Sequence, residues 1–213
     1  MGSDQDVRWS LSRVTAPEIQ PVTSAEAKTH LEVDDSDWDT LISNAIKAAT
    51  QHLDGASGWL GRAIVQQTWD LKLDAFPARI TIPLPPLRSI TSITYTDPDG
   101  DEQTLASSKY QVVGQGGAQQ GSIVPAYNES WPETRSIPEA VTVRFVAGYE
   151  PTSDSPPDYR ANVPQPIKQA ILLMVADMYA HRETAIVGAA ATTVPVSSTV
   201  AALLSPYIVP KWG

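Results

Sequence analysis

PVTSAEAKTHLEVDDSDWDTLISNAIKAATQHLDGASGW, residues 21–59, holds two helices in succession and decides the architecture of the chain. At Thr23-Ser24-Ala25-Glu26 the spacing lets the Thr23 hydroxyl and the Glu26 carboxylate satisfy backbone N–H groups that a helix start leaves unpaired. Such a cap contributes about 1 kcal/mol. This short helix is expected to end near Leu31. Asp34, Asp35, Ser36 and Asp37 then offer caps and favourable negative charge for the next N-terminus. In the second helix Trp38, Leu41, Ile42, Ala45, Ala49, Leu53 and Ala56 recur at three- and four-residue steps, so one face is buried. The partner for that face comes far downstream. Pro166 suits a first helical turn, and Ile167, Ala170, Ile171, Met174, Val175 and Met178 form a stripe. Leu172, Leu173, Ala176 and Tyr179 fill much of the remaining circumference.

Between these helices the period changes to two. Gly55, Gly58 and Gly61 provide stops, after which Trp69, Leu71 and Leu73 alternate with Asp70, Lys72 and Asp74. Ile80, Ile82 and Leu84 repeat the alternation. Pro83, Pro85 and Pro86 remove ladder donors there and place the segment at an edge or in an extended connection. Residues 89–96 are rich in β-branched side chains and run into Asp97-Pro98-Asp99-Gly100, a hairpin turn with a return strand near 102–105. Further strands are expected over 110–113, 122–124 and 141–146. A proline-rich linker from Gly148 leads to Pro166.

The fold class is therefore α+β, with a helical bundle formed by the N- and C-terminal segments, an antiparallel β-rich insert and extended terminal arms. The expected organisation is an N-terminal arm over 1–20, a first helical part over 21–62, the β-rich insert over 63–150, the linker and second helical part over 151–187, and a C-terminal arm over 188–213. That last arm holds a small-residue bridge and a short helix over 199–207.

Composition narrows the function. The 213 residues are 42% hydrophobic and 18% charged, an ordinary globular balance, and the formal net charge is −9. A protein that grips nucleic acid by displacing counterions relies on Lys and Arg, so an acidic surface argues against that mode. Without cysteine there is no disulfide framework and no thiolate metal site. Residues 1–10 hold no apolar core for a signal peptide. The longest apolar run, 170–180, is broken by Asp177 and falls short of the roughly 20 residues that a span requires, so no membrane partner is expected.

No catalytic, metal-binding or cofactor-binding residue emerges. Asp35-Ser36-Asp37-Trp38-Asp39 has the alternating acids of a calcium loop, but its sixth and twelfth positions are Thr40 and Ile46 where Gly and Glu are needed. His30, His52 and His181 lack metal-ligand spacing. The Gly114–Gly117 run with Gly121 lacks the Lys-Ser or Lys-Thr of a phosphate loop and suits a hairpin tip. Asp177 and His181 stand one turn apart, a structural pair in waiting. Of the six tryptophans, Trp38 and Trp69 sit on apolar faces, whereas Trp9 and Trp212 lie near the ends of the chain, where aromatics anchor partners.

The ordered set of segments resembles the head-tail connector, or adaptor, proteins of long-tailed phages and gene transfer agents. The matching stretches are residues 23–35, Leu84-Pro85-Pro86-Leu87 with 90–97, Ile123-Val124-Pro125-Ala126-Tyr127 through Trp131-Pro132, 141–149, and 164–183 with its Pro166-Ile167-Lys168-Gln169-Ala170-Ile171 helix. The resemblance implies a non-enzymatic, cofactor-free ring subunit, typically in twelve copies, at the head-tail junction of a particle assembled in the bacterial cytoplasm. Its implied partners are the portal protein, a tail-side connector or stopper, and DNA that passes through the channel without sequence-specific binding. On this reading Trp9, Tyr207, Ile208, Val209 and Trp212 are interface residues, the last four on the portal. The rival expectation is a ligand-binding module presenting Tyr95, Tyr110, Trp131 and Tyr149 to a glycan or small molecule, decided by whether those rings share an open face. A third, a hydrolase, would need two carboxylates with raised pKa converging in a pocket.

Overall fold

A computed structural model describes residues 7–181 and 197–210. The chain is α+β and divides into two interleaved units, one of Met1–Glu18 with Arg62–Glu150 and one of Ile19–Gly61 with Pro151–Gly213.

The first unit is built from strands. Strands β1 (Trp9–Thr15), β2 (Gln67–Leu73), β4 (Leu87–Thr96), β5 (Glu102–Thr104) and β8 (Val141–Ala147) form a sheet of order β1-β2-β8-β4-β5, and every pairing in it is antiparallel. Strands β3 (Ile80–Ile82), β6 (Tyr110–Val113) and β7 (Gly121–Pro125) form a second sheet of order β3-β7-β6. Alternation sorts each strand. Trp69, Leu71 and Leu73 of β2 and Val141, Val143 and Phe145 of β8 are buried in one core with Ile80, Ile82, Leu87, Ile93 and Ile123. The sheets approach closely where β7 begins, because a Cβ on Gly121 would strike the Leu87 side chain. On the opposite side of the large sheet, Arg144 grips Asp70 with two bonds of 2.8 Å, Nε to Oδ1 and Nη2 to Oδ2.

The expected N-terminal arm is corrected over its middle, since Trp9–Thr15 is the edge strand β1. Its ladder to β2 shifts register between Arg13 and Thr15. Arg13 takes the next core-facing position after Val7, Trp9 and Leu11 and the bulge follows at Val14, so the apolar alternation stops short and hides the strand in the sequence. Side chains fasten it as well: Ser10 Oγ donates to Glu139 Oε1 at 2.9 Å, and Lys72 Nζ meets Glu139 Oε2 at 2.6 Å.

In the second unit α1 (Ser24–Leu31) carries the expected capping box. Glu26 N–H donates to Thr23 Oγ1 at 3.1 Å and Thr23 N–H donates to Glu26 Oε2 at 2.6 Å. Helix α2 (Asp39–Leu53) buries Ile42, Ala45, Ile46, Ala49, Thr50 and Leu53, a single stripe. Its N-cap is Trp38, without a side-chain cap, contrary to the expectation from the acids. Of those acids Asp35 is engaged elsewhere, its Oδ1 accepting from Asp37 N–H, while Lys28 Nζ reaches the Asp35 carbonyl and Oδ1 of Asp39, the first residue of α2. Helix α3 (Gln165–Ala180) has Pro166 in its first turn and packs on α1, α2 and α4 (Ser198–Leu204). The Trp38 and Tyr179 rings meet edge to face at 5.9 Å.

Candidate interaction surfaces

The five expected interface residues fall in different environments. Trp9 is 48% exposed at the start of β1. Tyr207 ends a 3-10 turn after α4 and is half-buried, and Ile208 beside it is 40% exposed. Val209 is 5% exposed and its N–H donates to the Leu60 carbonyl at 2.9 Å, so this side chain belongs to the core of its own unit. Gly61 makes room for it, because a Cβ there would lie 2.9 Å from the Val209 carbonyl oxygen. Trp212 lies outside the described residues.

The rival aromatic set does not form one open platform. Trp131 stacks on Phe76 at 4.9 Å, Phe76 meets Tyr95 edge-on at 5.7 Å, and all three pack against the β core. Tyr110 packs there too, and burial pushes its hydroxyl pKa up. Tyr149 is half-buried, with its hydroxyl accepting from Arg62 Nη1 at 2.9 Å.

Asp177 and His181 come together differently from the expected side-chain pair. The His181 N–H and ring Nδ1 both contact the Asp177 backbone carbonyl, at 3.0 and 3.1 Å, which caps the end of α3. Among the described residues no group of His, Asp and Glu is arranged to hold a metal ion, and no helix is long and apolar enough to cross a membrane. The Gly-rich segment lies in the loop between the paired strands β6 and β7.

Two surface features went unread in the sequence. Tyr127 is 87% exposed, raised on the turn that closes when Glu129 N–H donates to the Ala126 carbonyl. The second is the outer edge of β1, whose flanks expose Trp9 and Val14 at 48% and 46%. The Val7, Trp9, Leu11 alternation was the signal for it. At the other end of the same sheet the β4–β5 turn is acidic and tightly made. Asp97 accepts from Gln103 Nε2 at 2.9 Å, from Asp101 N–H at 2.9 Å and from Gly100 N–H at 3.0 Å. The Gln103 bond first, then the Asp101 amide, hold its carboxyl below the usual range.

This is an α+β chain whose distinctive chemistry lies in edges and exposed apolar side chains. No protein-family model matches it, and neither does any curated protein. Solved structures do match. A chain in the virion of a native gene transfer agent (GTA) particle is 21% identical, with 94% of this chain and 95% of that one covered and a TM-score of 0.68. A chain in the neck of an empty GTA particle computed with C6 symmetry is 21% identical, covers 94% and 96%, and has a TM-score of 0.67. A chain in the neck of a native GTA particle computed with C12 symmetry is 22% identical, covers 94% and 96%, and has a TM-score of 0.63. Across almost the whole length, this chain shares their fold.

Proposed function

We propose that this chain is a structural subunit of the neck of a phage-like or gene transfer agent particle, a head-tail connector of the adaptor type. The observation that carries the reading is the likeness to GTA virion and neck chains over 94% of this chain, at TM-scores of 0.68, 0.67 and 0.63. Copies assemble as a ring, typically of twelve, between the portal protein and a tail-side connector or stopper. The C6 and C12 symmetries of the neighbouring neck structures support a ring. In a heterologous ring each copy uses two different faces, and closure lets modest contacts act together.

DNA passes through the channel of such a ring, and a formal net charge of −9 suits a conduit that must not hold it. Tyr207, Ile208 and Trp212 are assigned to the portal, while Val209 anchors the segment to its own subunit. The site of action is the head-tail junction of a particle assembled in the bacterial cytoplasm. The ligand-binding alternative loses its motivating observation, because Tyr95 and Trp131 pack through Phe76 against the core.

The test is native mass measurement of the purified protein with and without its portal. A ring, alone or on the portal, is expected. A chain that stays monomeric and ignores the portal would overturn the reading.

A further inference from the structure

The geometry points to a particular subunit contact in that ring: the free edge of β1 in one copy pairs, in parallel, with the free edge of β5 in the next. The inference rests on the ring reading above and names the surface that closes it.

The strand order puts β1 at one end of the large sheet and β5 at the other. Among the described residues each therefore offers unpaired backbone N–H and C=O groups along its outer side. Edges of this kind are normally guarded by proline, lysine, bulges or brevity. Here β1 is seven residues long with no proline or lysine, and its bulge falls only after Arg13, whereas β5 is three residues long and limits the pairing to Glu102–Thr104. Trp9, on the core-facing side of β1, is 48% exposed, as a side chain awaiting cover would be.

The two edges are complementary in charge. The β1 segment exposes Arg8 and Arg13 and holds no acid from Val7 to Pro17. The β5 edge and its turn expose Asp99, Asp101 and Glu102, three acids that outnumber the Arg135 guanidinium lying beside Gly100. An edge with arginines and an edge with carboxylates repel their own kind, which disfavours two-fold pairing of like edges and favours head-to-tail association.

Strand direction and register follow from the topology. Five strands joined only by antiparallel pairings leave β1 and β5 running the same way. Copies related by rotation about an axis along the strands thus bring β5 and the neighbour's β1 together in parallel. Ser10, Lys72, Thr142, Thr94 and Thr104 form one row across the sheet, from β1 to β5. If successive sheets continue without stagger, Thr104 faces the neighbour's Ser10. Two residues earlier on each strand, Glu102 faces the neighbour's Arg8. The charges then meet where the register puts them, which is backbone augmentation with a side-chain lock.

The chain has no cysteine, so introduced thiols report this contact alone. Ser12→Cys and Thr104→Cys, both exposed and on the same sheet face, are combined in one chain and treated with a short bismaleimide, while native mass spectrometry follows the ring. A ladder of covalent multimers is expected from the double variant and none from either single one. Arg8→Glu should weaken association about fivefold, the scale of an exposed ion pair, and adding Glu102→Arg should recover it. Dimers from Ser12→Cys alone would mean β1–β1 pairing and overturn the proposal. Rings without the ladder would overturn the edge pairing and leave the ring reading intact. Monomers throughout, with portal present, would overturn both.

Discussion

Arg144 holds Asp70 through two parallel bonds of 2.8 Å, and the partners are unequally exposed, with side-chain values of 44% and 11%. That inequality makes the pair asymmetric under mutation. Removing Arg144 strands a largely buried carboxylate, whereas an arginine that loses Asp70 turns to water. Arg144→Ala is expected to cost about 1–2 kcal/mol and Asp70→Asn less, as read by urea denaturation with an unchanged m-value. Equal costs would contradict the burial argument.

The capping box sets an acid limit for the helical unit. Burial raises the Glu26 pKa, but bonds from the Thr23 backbone and hydroxyl, with Lys168 and Arg160 nearby, outweigh it and leave the carboxyl below its ordinary value of 4.5. A carboxyl lowered on folding stabilises above its unfolded pKa, and that stability is lost as pH falls through the folded value. Melting temperatures should therefore drop more steeply below pH 4.5 in the parent than in Glu26→Gln, which keeps the reciprocal cap without the charge. Parallel curves would sink this account.

Two glycines with positive φ separate conformational strain from collision. Gly116 has φ 73° and nothing within 4 Å of where a Cβ would stand, so Gly116→Ala should cost only the left-handed penalty of about 1–2 kcal/mol. Gly148, at φ 123°, would drive a Cβ to 2.7 Å from the Val65 and Gln66 backbone. Backbone cannot step aside as a side chain can. Gly148→Ala should be clearly the more damaging of the two in thermal unfolding.

Neighbouring residues near the C-terminus should part company. Val209 is 5% exposed and Ile208 40%. Val209→Asp buries a charge and should lower thermal stability. Ile208→Asp should leave stability within about 0.5 kcal/mol of the parent and reduce portal capture in a pull-down. An Ile208 variant that melts early, or one that docks unchanged, would remove this residue from the portal contact.

The legible parts of the fold were those written in local chemistry. Thr23 and Glu26 announce α1, and Asp97-Pro98-Asp99-Gly100 announces the β4–β5 hairpin, because cap and turn are made within a few residues. Strand β1 is hidden because its alternation is short, with Arg13 in the next core-facing position and a bulge directly after it. The α2 cap was misread for another reason. The Asp37 amide takes the Asp35 carboxylate and Lys28 takes that of Asp39 in the first turn, a competition that spacing does not reveal. Val209 read as a free apolar anchor, since its partner Leu60 is remote in sequence. Of the surfaces proposed, the exposed Trp9 and Ile208 were foreseeable from apolar side chains near the termini. The β1 and β5 edges needed the strand order.

The interleaving of the two units governs the order in which the protein can be completed on the ribosome. Among the described residues all eight strands precede residue 148, so the β unit has this set before α3 has been translated. Helices α1 and α2 emerge early, yet α3, which packs on both, begins only at Gln165. A chain released from the ribosome just short of that point holds all eight strands and two helices that lack their α3 partner, the species that a folding chaperone would meet.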